Sequence, residues 1–142
     1  MRYNSTGRRN TLNDEDFASL ASFRFVLRRF FSFSEDASVA VGMTSQQYQA
    51  MLAIRAHSGA AAMTIGELAT QLFIRHHSAV GLVDRLVSRG LVTREAAARD
   101  GRQVAVALTP AGTRALGIVA AKHRAELMRV RPEILALLES LG

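Results

Sequence analysis

The sequence predicts a mostly α-helical fold that carries one small β-hairpin. Apolar residues make up 49% of the 142 residues, and aromatic residues only 6%, so Leu, Ala and Val dominate, a composition that favours helices. Over most of the chain the apolar residues recur at the helical spacing of about 3.6. Directly after Gly90 the spacing changes to about 2, the repeat of a strand, and it returns to the helical spacing after Thr109.

The N-terminal part predicts a flexible tail over residues 1–13, followed by a single domain over 14–142. Asn13 can cap a first helix, and the acidic residues 14–16 suit its positive dipole end. The apolar arc of this helix is too wide for one neighbour to cover, which predicts a second cover from another subunit. Residues 34–42 are expected to form a weak helical or looped connector. The arc comprises Phe17, Leu20, Ala21, Phe23, Val26, Leu27, Phe30 and Phe31.

Two further helix starts are predicted from capping signals. Thr44 and Gln47 have the spacing of a capping box, and the helix they open should end near residues 58–59. Thr64 and Glu67 repeat the signal at the start of a shorter helix. Both starts lie directly before apolar residues in helical spacing, so the segment is predicted to hold two amphipathic helices.

A helix, two strands and a final helix are predicted after a short connection over residues 73–75. The next helix should run to about Arg89 and end at Gly90, a typical residue after a helix C-terminus. Strands are then expected over 91–97 and 103–108, joined by a turn with a basic residue at its tip. The final helix should begin with Thr109 as N-cap and Pro110 in its first position, and Pro132 should break or kink it.

The order of helix, short turn, helix, glycine and hairpin is that of a winged helix-turn-helix, in which the second helix enters the DNA major groove. The non-core side of that helix carries polar or small residues, and the hairpin carries arginines that could reach a minor groove. The formal charge is +6, and Lys122 is the one lysine among 18 basic residues. Arginine suits bidentate contacts to phosphate and guanine. The candidate DNA contacts are Arg75, His76, His77, Ser78, Gly81, Arg85, Arg94, Arg99 and Arg102.

The run from Met63 to Gly112 resembles the winged-helix core of the MarR family of bacterial regulators, and MTSQQYQAMLAI before it resembles that family's second helix. The most specific segments are LVDRLVSRGLVTR, the Asp100–Gly101–Arg102 triplet and LTPAG. The resemblance implies a homodimer with a DNA-binding lobe at about 44–109. Its interface would be built from helices at about 14–33 and 110–141.

The same resemblance implies a transcriptional repressor that binds a pseudo-palindromic operator and is released by a small aromatic or anionic effector. An effector pocket would be lined by Phe30, Tyr48 and Met51, although plain core packing explains these residues equally well. The chain departs from the family at Gly101, where an arginine is usual. The wing tip therefore loses one positive charge, unless Arg99 supplies it.

Other function classes find little support in the sequence. The chain has no cysteine, no apolar leader and no apolar run of membrane length, so a cytoplasmic protein without membrane contact is expected. No catalytic motif or cofactor-binding loop is recognisable, which argues against an enzyme. His76 and His77 could bind a metal ion with His57 or His123, but adjacent helical residues point about 100° apart. A metal-responsive regulator and a winged helix used for protein contact stay as alternatives.

Overall fold

The structure is a computed structural model that describes residues 11–57, 62–96 and 103–141. These residues form five helices and three short strands. The chain divides into a central unit, Ser34–Arg124, and a terminal unit of residues 11–33 and 125–141. The helices are α1 (Asp14–Val39), α2 (Ser45–Ala56), α3 (Ile65–Leu72), α4 (His76–Ser88) and α5 (Pro110–Ser140). The strands are β1 (Met63–Thr64), β2 (Val92–Ala96) and β3 (Val104–Leu108). The mostly helical class with a small sheet is confirmed.

The predicted helix starts are confirmed by their hydrogen bonds. The Asn13 side-chain oxygen accepts from the Asp16 backbone N–H, and the Asp16 carboxylate accepts in return from the Asn13 N–H, both at 2.9 Å. Thr44 and Gln47 form the reciprocal capping box, with bonds of 3.0 and 3.1 Å. Thr64 Oγ1 accepts from the backbone N–H at the third helical position. These bonds satisfy amide donors that have no partner within the helix.

Three expected boundaries differ from the structure. The connector expected over 34–42 is helical as far as Val39, and the Ser38 hydroxyl bonds the Ser34 carbonyl within that helix at 2.9 Å. The helix expected to reach residues 58–59 ends at Ala56. Of the break or kink expected at Pro132, the break was wrong, because α5 is continuous to Ser140; the kink stays a prediction. Proline removes only one amide donor, and the long helix retains its other bonds around it.

The sheet has three antiparallel strands in the order β1–β3–β2, one more than the sequence predicted. Thr93 pairs with Ala107, and on the other side Thr64 pairs with Ala105. Ala105 and Val106 of the central strand β3 are both buried, although neighbouring residues of a strand point to opposite faces of the sheet. The missed strand, β1, is only two residues long and carries no alternation that a sequence pattern could register.

The core of the central unit joins the helices to the sheet. Its fully buried side chains come from α2, α3, α4, α5 and the strands, and they form one apolar cluster. The start of α5 closes this cluster against the end of α4. Thr109 donates its hydroxyl to the Gly90 carbonyl at 2.7 Å and its N–H to the Leu91 carbonyl at 3.1 Å. Gly112 packs directly against the Leu91 carbonyl, where no Cβ has room.

The terminal unit is built from the first part of α1 and the last part of α5. Val26 and Val130 are its buried residues, and Arg29 forms an ion pair with Glu133 at 2.5 Å. Ser140 donates a hydrogen bond to Ser19. Many large apolar side chains of this unit remain more than 40% exposed in the single chain. They include Phe17, Phe25, Phe31, Met128, Leu135 and Leu138.

Three described residues adopt the left-handed backbone conformation. Gly42 and Gly90, with φ of 73° and 70°, end α1 and α4. The third is Phe73, with φ of 54°, which closes α3 while its N–H bonds the Thr70 carbonyl. Two of the three positions therefore hold glycine, the residue that adopts this conformation without steric cost. The phenylalanine is the exception.

A buried histidine, His123, lies on α5 in the central unit. The ring of His123 packs edge-on against Tyr48, with 4.3 Å between ring centroids, and its Nε2 lies 3.3 Å from the Ser34 carbonyl oxygen. Burial lowers the pKa of His123, and the backbone hydrogen bond only partly offsets this effect. The folded protein therefore favours the neutral ring.

We expect this histidine to make the protein less stable in mild acid. The unfolded chain binds a proton at the ordinary histidine pKa of about 6.5, whereas the folded chain resists it, so stability is complete above that value and falls as the pH drops through it. Urea unfolding of the wild type and of His123→Phe should be compared from about pH 8 to about pH 5. The variant should lose less stability on acidification, and parallel pH profiles would contradict the prediction.

Candidate nucleic-acid interface

Helices α3 and α4 form a helix-turn-helix joined by residues 73–75. The inner side of α4 is set by Ala79, Leu82, Val83 and Leu86, each at most 1% exposed. Their spacing of three and four residues places them on one helical face. This burial fixes the rotation of α4 about its axis, so its other side must face solvent.

The outer side of α4 carries the predicted contact residues. His76, His77, Ser78 and Arg85 are exposed, and so is Arg75 directly before the helix. Gly81 is half-buried, and the Arg85 guanidinium lies 3.8 Å from where a Cβ at Gly81 would stand. Positions 77, 81 and 85 are four residues apart and therefore form one ridge along the helix. The structure thus brings histidine, glycine and arginine together on a polar, cationic surface.

The wing strands are anchored to this helix by an ion pair. The Arg94 guanidinium of β2 contacts the Asp84 carboxylate of α4, and both side chains are partly exposed. From spacing alone, Asp100 could pair with Arg94 or Arg102, but Asp100 and Arg102 lie outside the described residues. The partner that the structure shows for Arg94 is Asp84. Arg94 thus bonds within the protein, although it was predicted as a DNA contact.

A test of this ion pair is an exchange of its charges. Because both side chains are partly exposed, Asp84→Ala or Arg94→Ala should cost no more than about 1 kcal/mol of stability. If Arg94 acts by holding the wing, each single change should weaken DNA binding about threefold to tenfold, and Asp84→Arg with Arg94→Asp should restore most of it. Failure of the double variant to recover would assign Arg94 to direct DNA contact.

A cleft of about 320 Å³ lies between α4 and the wing strands. The start of α3 forms one wall, His76 and Val80 of α4 a second, and Arg94 with Val104 of the strands a third. This surface is therefore concave, with Arg94 and His76 beside the apolar side chains of Val80 and Val104. Such a surface can take a curved polyanionic backbone on its rim while α4 projects beyond it.

Known structures share this arrangement. AbsC, a MarR family transcriptional regulator from Streptomyces coelicolor, matches with a TM-score of 0.72 and 24% identity, over 84% of this chain and 80% of that one. Wild-type MarR from E. coli, in its apo form, matches with a TM-score of 0.66 and 24% identity, over 83% of this chain and 89% of that one. The transcriptional repressor CouR, bound to a 23-mer DNA duplex, matches with a TM-score of 0.69 and 25% identity, over 92% of this chain and 96% of that one. No curated protein matches in sequence.

A model of the MarR family matches residues 41–103, which span α2, the helix-turn-helix and β2. Over these residues the chain matches the MarR family. The predicted resemblance is thereby confirmed, together with the winged helix-turn-helix fold. Among the matched structures, AbsC is a transcriptional regulator of this family and CouR is a transcriptional repressor.

The remaining predicted site residues divide into three groups. Arg99 and Arg102, with the unusual Gly101 between them, lie outside the described residues. Tyr48 and Met51 belong to the core of the central unit, at 5% and 0% exposure. Phe30 lies in the terminal unit, where its ring packs edge-on against Phe31. The proposed effector pocket therefore stays a prediction, and so does the wing contact.

The described residues also bear on the metal and membrane alternatives. Within ranges 11–57, 62–96 and 103–141, no three His, Cys, Asp or Glu side chains cluster as metal ligands would. His57 lies 3.5 Å from Glu67, which is a pair and not a metal-binding set. Of the helices in the part of the chain that the structure describes, none combines the length and apolarity needed to span a bilayer.

Sequence reasoning missed Asp84 as the partner of Arg94 and Arg89 as a link to α2. Arg89 donates to the Gln47 side-chain oxygen at 3.1 Å, and that oxygen also accepts the Thr44 N–H. The end of α4 and the start of α2 therefore share one acceptor. A charge pair or amide contact between distant segments leaves no periodic signal, so only the fold could reveal it.

Proposed function

We propose that this chain is a homodimeric, sequence-specific DNA-binding repressor of the MarR family. The observation that carries the proposal is the division of α4 into a fully buried apolar side and an exposed side bearing His76, His77, Ser78 and Arg85. Imidazole, hydroxyl and guanidinium groups can all bond base edges or phosphates in a major groove. The +6 charge of the whole chain adds attraction to any duplex.

Dimerisation is supported by the apolar surface of the terminal unit. Phe17, Phe25 and Phe31 are 58–60% exposed on α1, and Met128 and Leu138 are about half exposed on α5. Exposed patches of this kind mark interfaces, and a two-fold interface uses the same patch on both subunits. A two-fold dimer would present its α4 helices about 34 Å apart, which matches successive major grooves of a pseudo-palindromic operator.

Release by a small aromatic or anionic effector is the third part of the proposal. Such a compound must bind the state that fits DNA poorly more tightly than the state that fits it well. Because Tyr48 and Met51 are buried, an effector that reaches them must displace core packing or the Tyr48–His123 contact. That requirement would couple effector binding to a change in the central unit.

Fluorescence anisotropy with two labelled duplexes tests the DNA-binding part. One duplex carries the region upstream of the protein's own gene, and the other carries the same bases scrambled. We expect selective binding whose log–log salt slope is about −0.9 per phosphate neutralised. Arg85→Ala should weaken it about tenfold or more, while Arg114→Ala, an exposed arginine of α5, serves as the matched control.

Two further measurements complete the test. Analytical ultracentrifugation should give a dimer, and Phe25→Glu should shift it toward monomer and weaken operator binding in parallel. A panel of aromatic acids should include at least one that lowers operator affinity. Absence of DNA binding by the wild type, even at low salt, would overturn the proposal in favour of a winged helix that contacts protein.

A further inference from the structure

Phe73 is the most exposed large apolar residue described, with 97% of its surface accessible. It stands in the turn between α3 and α4, two residues before Arg75, and its backbone is left-handed. An aromatic side chain in this conformation crowds its own backbone. Because the ring is exposed, no free energy of burial offsets this cost. Nothing in folding therefore explains a phenylalanine at this position.

The turn itself does not need the phenyl ring. The Phe73 N–H bonds the Thr70 carbonyl, and the Ile74 N–H bonds the Ala69 carbonyl at 3.0 Å. These are the backbone bonds of a Schellman motif, which glycine forms best. The apolar contact of the motif comes from Ile74, which packs against the core, while the ring of Phe73 points away from it. Backbone strain that folding does not require is a reason to look for a binding role.

The surroundings of Phe73 select the kind of partner. Its exposed neighbours are Thr70, Gln71, Arg75 and His76, which are polar or basic. A protein interface would need a contiguous apolar patch, and a single ring among polar groups does not supply one. DNA offers the complementary pair: phosphates for the basic groups, and the thymine C5-methyl group, which phenylalanine contacts in the major groove.

We propose that Phe73 is a specificity-determining residue that contacts a thymine methyl group at the edge of the half-site read by α4. The inference rests on the proposed DNA binding and extends it from α4 to the preceding turn. The strained backbone holds the ring outside the fold, next to the helix end that carries His76 and His77. A small, rigid apolar contact at this place would add sequence preference without adding charge.

The test uses the full chain and a duplex that the wild type selects from a randomised library. Phe73→Gly and Phe73→Asn both suit a left-handed backbone and remove the ring, whereas Phe73→Tyr retains it. We expect the first two variants to bind the selected duplex about tenfold more weakly, a loss equal to about 1.4 kcal/mol, and the tyrosine variant to bind nearly as the wild type does. Urea unfolding should find Phe73→Gly at least as stable as the wild type, which excludes misfolding as the cause.

Thymine-to-uracil substitution identifies the contacted group. We expect one thymine in each half-site at which replacement by uracil weakens binding of the wild-type protein about threefold to tenfold. The same replacement should leave binding of the Phe73→Asn variant unchanged. Equal affinity of all Phe73 variants for the selected duplex would overturn the inference while leaving the proposed function intact. An equal loss on selected and scrambled duplexes would overturn the thymine assignment. Failure of the wild type to select any duplex would instead remove the proposed function itself.

Discussion

Gly112→Ala should lower the free energy of unfolding by about 2–3 kcal/mol, the cost of overpacking a site that cannot relax. A Cβ at this position would overlap the Leu91 carbonyl oxygen, which is backbone and not a movable side-chain end. That carbonyl is held in place because it accepts the Thr109 N–H, and the Thr109 hydroxyl in turn bonds the Gly90 carbonyl. The start of α5 would have to move away from the base of the wing.

Gly117→Ala provides the matched control in the same helix. Gly117 is exposed, and a Cβ there meets no atom within 4 Å, so alanine should stabilise the protein by about 0.5–1 kcal/mol. Urea unfolding followed by circular dichroism, at one protein concentration for all variants, measures both effects. Opposite signs for two identical substitutions in α5 would establish the close approach at Gly112. Equal stability of the two variants would refute it.

Gly81→Leu should abolish selective DNA binding, with a loss of about 100-fold or more, while the protein becomes no less stable. Gly81 lies in the middle of the ridge formed with His77 and Arg85, and a leucine side chain there would hold α4 away from the groove floor. Inside the helix the substitution is favourable, because leucine has a higher helix propensity than glycine by up to about 0.8 kcal/mol. A Cβ meets only the end of the flexible Arg85 side chain, at 3.8 Å.

Gly81→Ala separates the size of the side chain from the loss of glycine. One methyl group should change operator affinity by only a few fold, because it extends little beyond the backbone. Anisotropy titrations of both variants on the same duplex, with urea unfolding as the fold check, measure the effect. If the leucine variant bound like the wild type, another surface of the protein would have to read the DNA.

The helices and their caps were predictable because they depend on short-range rules. Thr44 and Thr64 each stand three residues before the amide they cap, so their roles follow from spacing alone. The division of α4 into two sides was predictable for the same reason, since an apolar repeat of three and four residues defines a buried face. The outer residues of α4, among them His76 and Arg85, could therefore be named before the fold was known.

Features that depend on contacts between distant segments were not predictable. The Asp84–Arg94 pair needs the register of β2 against α4, and strand β1 needs a partner 43 residues away in the pairing of Met63 with Val106. Gly112 was recognised as part of LTPAG, but its physical role appears only when Leu91 lies against it. At Phe73 the structure shows a left-handed backbone that suits glycine, and no pattern in the sequence indicated this.

The order of strands in the sheet also bears on how copies of this chain meet. A sheet whose outer strands are long and apolar is a template for strand addition, and so for aggregation. Here one edge is β1, which is two residues long, and the other is β2, whose outer part presents the exposed side chains of Arg94 and Glu95. A short edge and a charged edge both resist strand addition. Strand-to-strand association of copies of this chain should therefore be disfavoured at both edges of the sheet.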